Sequence, residues 1–138
     1  MYKLSMKKEF NTPVSKLFDA WCQEEIVKQW FAPGEMTIPE ANIDMREGGK
    51  YRIVMQDSEG NKHIIGGKYH EIIPNSKLVF SWQWENSPIT TIVKILFKAL
   101  DNNKSSLELV HSEFHEEESR DHHNDGWKGC LTNLTKAI

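Results

Sequence analysis

Tyr2, Leu4, Met6, Lys8 and Phe10 alternate with Lys3, Ser5, Lys7 and Glu9, the period-two pattern of a strand with one wet face. The alternation stops at Asn11-Thr12-Pro13, which predicts a helix start with Thr12 as N-cap and Pro13 in the first turn. Val14, Leu17, Phe18 and Trp21 then fall at helical spacing. After a break at Gln23-Glu24, Ile26, Val27, Trp30 and Phe31 mark the inner face of a second short helix. Ala32-Pro33-Gly34 ends it. Two short helices between strands read as packing elements, not as a DNA reader.

From there to about Phe114 the pattern is that of an antiparallel meander. Strands are expected over Ile38 to Met45, Lys50 to Gln56 and Lys62 to Ile73. Gly66-Gly67 lies inside the last of these, where a bulge or sharp bend is expected. Asp57-Ser58-Glu59-Gly60-Asn61 has hairpin chemistry. Leu78, Phe80, Trp82 and Trp84 alternate with Lys77, Val79, Ser81 and Gln83; Thr91, Val93, Ile95, Phe97 and Ala99 alternate with Ile92, Lys94, Leu96 and Lys98; and Leu107, Leu109 and His111 alternate with Glu108, Val110 and Ser112. The turns are short, so consecutive strands should pair with their neighbours.

Ser119 to Ile138 reads as one long amphipathic helix. Trp127, Cys130, Leu131, Leu134 and Ile138 recur at steps of three and four, and Ser119 is the expected N-cap. Gly126 and Gly129 cost the helix roughly 1 kcal/mol each relative to alanine, so tertiary packing is expected to hold it. Both glycines flank the Trp127 indole and allow another element to come close. The pattern predicts an α+β fold. A seven-stranded, curved antiparallel sheet wraps around this C-terminal helix, with two short helices after the first strand and a cavity between sheet and helix.

The 138 residues are about one domain's worth and are read as a single domain, 1–138. The net charge of −3 comes from 17 basic and 20 acidic residues, with no basic patch, so no nucleic-acid partner is expected. No apolar run approaches the roughly 20 residues of a membrane span, and the N-terminus lacks a signal peptide's apolar block. Cys22 and Cys130 read as buried free thiols, and a cytoplasmic protein follows as the default.

Several local patterns, in order along nearly the whole chain, resemble a known family. They run from Thr12-Pro13 through Phe18-Ala20-Trp21, Gln29-Trp30-Phe31-Ala32-Pro33 and Arg46-Glu47-Gly48-Gly49-Lys50-Tyr51. Gly67-Lys68-Tyr69-His70-Glu71-Ile72, Leu78-Val79-Phe80-Ser81-Trp82, Leu109-Val110-His111 and Gly126-Trp127 with Leu131 and Leu134 complete them. The chain resembles the START-like (SRPBCC) superfamily with its helix-grip fold. Within it the chain is most similar to the group related to the C-terminal domain of the activator of the heat-shock protein 90 ATPase. The resemblance implies a cavity between sheet and terminal helix and, as the first expectation, a small hydrophobic ligand, apolar or aromatic. A co-chaperone-like stimulator of the heat-shock protein 90 ATPase is the alternative. The activator carries a separate N-terminal domain that makes much of its chaperone contact, and no such domain is expected in these 138 residues. A polyketide cyclase-like enzyme is the third expectation.

Trp30, Phe31, Tyr69, Phe80, Trp82, Trp84, Phe97, His111, Trp127 and Leu131 are the candidate ligand-binding residues. Aromatics at strand and helix spacing usually just pack, so each one singly reads as core; together, with the implied cavity, they read as a pocket wall. A buried tryptophan N–H needs a partner and could orient a polar ligand atom. His111 falls on the inward face of its strand, where it could bind a ligand or shuttle a proton. His115, His122 and His123 read as solvated residues near an acidic turn, and no metal-ligand motif appears. Glu71, Arg46 and Tyr69 join His111 as conceivable acid–base groups, against the plainer reading of Arg46 and Glu71 as ion-paired or exposed. No nucleophile–base spacing is visible, so no catalytic residue, metal or cofactor is assigned. Glu113 to Asp121 reads as a solvated charge run.

Overall fold

The computed structural model describes all 138 residues. The opening alternation forms β1 (Tyr2–Phe10), with Leu4 and Phe10 buried. Two short helices follow, α1 (Val14–Cys22) and α2 (Glu24–Trp30), and Gln23 closes the first and opens the second. The meander is β2 (Thr37–Ile43), β3 (Lys50–Gln56), β4 (Lys62–Ile73), β5 (Lys77–Trp84), β6 (Thr91–Asp101) and β7 (Lys104–Phe114). The long α3 (Glu117–Ala137) ends the chain.

All seven strands form one curved antiparallel sheet in the order β1-β7-β6-β5-β4-β3-β2. β2 to β7 pair with their sequence neighbours because their turns are short. β1 instead pairs with β7, since α1 and α2 carry the chain from one edge of the sheet to the other. The inward residues Val93, Ile95, Phe97, Leu107, Leu109 and His111 are buried as their alternation requires, while Ala99, expected inward, is exposed. α3 lays Trp127, Cys130, Leu131 and Leu134 onto this concave face. No helix is long and apolar enough to cross a membrane.

Three local readings are corrected. Pro13, not Thr12, is the cap position of α1, and no side chain caps it. Thr12 is buried, and its carbonyl accepts a hydrogen bond from Ser105 Oγ at 2.7 Å. α3 starts at Glu117, two residues before Ser119. Glu117 and Glu118 favour that start because carboxylates complement the positive end of a helix. The sheet irregularity expected at Gly66-Gly67 lies between Tyr69 and Glu71. Gly67 serves a close approach: a Cβ there would sit 2.0 Å from the Ser81 carbonyl oxygen.

A second irregularity shapes the site. The β1–β7 register shifts between Tyr2 and Leu4, opposite Glu113, whose φ is 71°. The extra residue lets His111 and Phe114, three apart, both point inward. Their rings lie 4.4 Å apart.

Candidate functional site

Trp127 is the centre of the concave face. Its ring lies 5.1 Å from Trp82, 5.8 Å from Phe31 and 5.9 Å from Trp21. Its indole N–H donates to His111 Nδ1 at 3.0 Å. Indole can only donate, so that nitrogen carries no proton, and the neutral ring holds its proton on Nε2. From there it donates to Thr91 Oγ1 at 2.7 Å, leaving the Thr91 hydroxyl to donate to the Trp82 carbonyl at 3.3 Å. Every group from the Trp127 N–H through the His111 imidazole and the Thr91 hydroxyl to the Trp82 carbonyl is thus satisfied. Burial pushes the His111 pKa down to about 2, helped by neighbouring His123.

A parallel pair lies nearer the surface. Trp84 Nε1–H donates to His123 Nε2 at 2.9 Å, and His123 Nδ1–H donates to the Ser119 carbonyl at 2.7 Å. Both residues are half-buried. Burial lowers the His123 pKa too, with His122 adding to the shift and the Ser119 carbonyl opposing it.

A cleft of about 260 Å³ opens between α3, the sheet and the segment after α2. It is lined by Phe31, Pro33, Met36, Met55, His63, Trp82, Trp84, His122, His123, Gly126, Trp127 and Cys130. The segment after α2 is strapped to the helix. Asn133 Nδ2 donates to the carbonyls of Ala32 at 2.8 Å and Gly34 at 3.3 Å. Gly129 faces Pro33 so closely that an added Cβ would sit 3.0 Å from Pro33 Cβ. Gly126 faces open space. The two glycines therefore differ: one permits helix-to-loop contact, the other leaves the cleft unfilled.

Of the ten candidate residues, Phe31, Trp82, Trp84 and Trp127 line this cleft. Trp82 Nε1 is buried with no hydrogen-bond partner, as is Trp21 Nε1. Such an unpaired donor costs about 1–3 kcal/mol. His111 sits behind Trp127, fully buried. Tyr69 and Phe80 border a much smaller void, of about 10 Å³, with Phe31, Tyr51 and Trp21. Trp30, Phe97 and Leu131 are core residues away from the cleft. Trp30 donates to the Ala20 carbonyl at 2.9 Å, and Phe97 packs on Phe18 at 5.1 Å.

The acid–base candidates are dispersed. Arg46 is exposed and bound to Asp44 at 2.8 Å, and Glu71 pairs with Lys77 at 2.9 Å. Burial raises the Tyr69 pKa, and both nitrogens of His111 are engaged. No three His, Cys, Asp or Glu side chains are grouped to hold a metal ion.

Sequence reasoning missed Met36, Met55, Cys130 and His123 as cleft residues. Met55 shares the inward parity of Tyr51 and Ile53, and Cys130 was placed on the Trp127 face without being carried into the site. His123 precedes Trp127 by four residues, so it shares that face; it is not simply solvated.

The chain matches the family model described as Activator of Hsp90 ATPase homolog 1-like protein over residues 11–138, and it belongs to that family. No curated protein matches it. Solved structures share its fold. Protein CV1439 from Chromobacterium violaceum is 19% identical with a TM-score of 0.88, over 99% of this chain and 96% of that one. The AHSA1 (SPO3351) protein from Silicibacter pomeroyi is 22% identical with a TM-score of 0.87, over 98% and 96%. Protein NE0264 from Nitrosomonas europaea is 23% identical with a TM-score of 0.84, over 98% and 92%.

Proposed function

We propose that this member of the Activator of Hsp90 ATPase homolog 1-like family binds a small apolar or aromatic molecule in the cleft beneath Trp127. The supporting observation is the cleft itself, walled by Phe31, Trp82, Trp84 and Trp127 with Met36 and Met55. Aromatic walls offer large apolar area and stacking faces, and thioethers adapt to the shape of what they touch. Ligand pockets commonly measure roughly 300–1,000 Å³. A cleft of about 260 Å³ suits a molecule of one or two rings.

Three tryptophans in the wall give the test its signal. Titrating naphthalene should change the intrinsic fluorescence saturably, and Trp127→Phe should reduce the change. A fluorescence that does not respond to naphthalene or to comparable one- and two-ring compounds rejects the reading.

A second reading rests on the family match alone: stimulation of a heat-shock protein 90 ATPase. It requires that adding this protein raise the chaperone's ATP turnover, and an unchanged rate rejects it.

A further inference from the structure

Trp84 and His123 are the wall between two clefts. One is the cleft beneath Trp127. The other, of about 240 Å³, lies towards the start of α3, with Ser87, Thr91, His115, Glu116 and Ser119 in its lining. Trp82, Trp84 and His123 line both. Each cleft alone falls below the usual volume of a ligand pocket, and joined they fall within it. The 2.9 Å hydrogen bond from Trp84 to His123 belongs to this shared wall.

The two Trp–His bonds differ in what surrounds them. Trp127–His111 is sealed in the core, and Thr91 uses the second imidazole nitrogen. Trp84–His123 is half-buried and reachable from either cleft. Ser119 holds the proton of His123 on Nδ1, so Nε2 is fixed as an acceptor while Trp84 Nε1–H is fixed as a donor. Separating the pair leaves one bare donor opposite one bare acceptor. A nearby third group is already unpaired: Trp82 Nε1, a buried donor, whose ring lies 5.7 Å from Trp84 and 6.1 Å from His123.

We propose that the Trp84–His123 pair opens to seat a ligand hydroxyl, and that the molecule bound is an apolar ring bearing an O–H group. This rests on the cleft being a ligand site, as proposed above. The hydroxyl donates to His123 Nε2 and accepts from Trp84 Nε1, restoring both bonds. Its second lone pair can serve the unpartnered Trp82 N–H. An ether or ketone accepts from Trp84 but leaves His123 Nε2 bare. A carboxylate has the same fault, and an ammonium group cannot accept from Trp84. Only a group that both donates and accepts fits the fixed polarity of the pair.

Calorimetric titration of the intact protein with 2-naphthol and with 2-methoxynaphthalene tests this. The expected result is at least tenfold tighter binding of 2-naphthol. His123→Phe keeps a ring against Phe114 and Trp82 but removes the acceptor, so the preference should vanish while both compounds still bind. Equal affinities in the unsubstituted protein overturn the hydroxyl site and leave the apolar cleft standing. A preference that survives in folded His123→Phe also overturns it, since size alone would then explain the discrimination. If neither compound binds, the cleft reading fails and the hydroxyl site with it. Should His123→Phe fail to fold, the comparison in the unsubstituted protein still decides.

Discussion

Trp127 donates its indole N–H to His111 Nδ1 across 3.0 Å, tying the last helix to the last strand where both residues are buried. The bond is one of the ties, with those of Arg120, His123 and Asn133, that hold α3 where the cleft opens beside it. His111→Ala leaves the Trp127 N–H and the Thr91 hydroxyl without their partner in a dry interior. The expected loss is about 2–4 kcal/mol of unfolding free energy, from unsatisfied groups and the space left behind. His111→Gln offers an acceptor and a donor and should recover part of it. Urea denaturation of the two variants checks this; an unchanged midpoint for His111→Ala would remove the bond from the stabilising interactions.

Acid should weaken the fold earlier than carboxylate titration explains. His111 has its pKa pushed from 6.5 to about 2 in the folded chain. A lowered folded value means its contribution is whole above the unfolded pKa and is lost as pH falls through and below about 6.5. The unfolded chain then takes up a proton that the folded one refuses, with a limiting slope of about 1.4 kcal/mol per pH unit. His123, also lowered, acts in the same direction. Burial is the main cause of both shifts, and the titratable neighbours that add to it are His123 beside His111 and His122 beside His123. Urea midpoints should be flat near pH 7.5 to 8 and decline between about 6.5 and 5. The decline should be shallower in His111→Gln. A midpoint that does not move across this window contradicts a buried neutral His111.

Gly126 and Gly129 should respond oppositely to alanine. Nothing lies within 4 Å of a Cβ at Gly126, so Gly126→Ala should add up to about 1 kcal/mol of helix stability. At Gly129 the added carbon meets Pro33 at 3.0 Å, and pushing Pro33 away loosens the strap that Asn133 makes to Ala32 and Gly34. Gly129→Ala should therefore gain nothing or lose stability. Thermal melts of both variants decide, and equal shifts would remove the distinction.

Gly67→Ala is the severe case in the sheet. Its Cβ would lie 2.0 Å from the Ser81 carbonyl oxygen, a backbone atom that cannot swing aside. A loss of about 3 kcal/mol or more is expected, read as a lower urea midpoint. A variant as stable as the parent would show that β4 and β5 can separate there.

The sequence made these elements legible to different depths. β3 and β4 were read to the residue because glycine and Asx-rich turns bound them on both sides. The inward parity of β5, β6 and β7 was also readable, since alternation survives any registration of the sheet. The bulge was misplaced because a glycine pair signals close approach as readily as irregularity. Only the packing of β4 on β5 tells that Gly67 abuts the Ser81 carbonyl while the extra residue falls near His70. The Trp–His bonds depend on which inward residue of β5 or β7 lies under which turn of α3, and no pattern within one element carries that. The patterns of their own elements single out His111 and Trp127 but not the bond between them. The acidic run before it makes His123 read as solvated like His122, whereas its spacing of four from Trp127 places it on the inner face. A hollow is harder still to read, being what remains after every side chain has been placed.

The most direct test is calorimetric titration of naphthalene into the unsubstituted protein and into Gly126→Phe. Gly126 lines the cleft and has open space before it, so a phenyl ring there should fill the hollow from the helix side. The expected result is one saturable site per chain in the unsubstituted protein and none in folded Gly126→Phe. Absence of binding to the unsubstituted protein, or equal binding to both, would contradict a ligand held beneath Trp127.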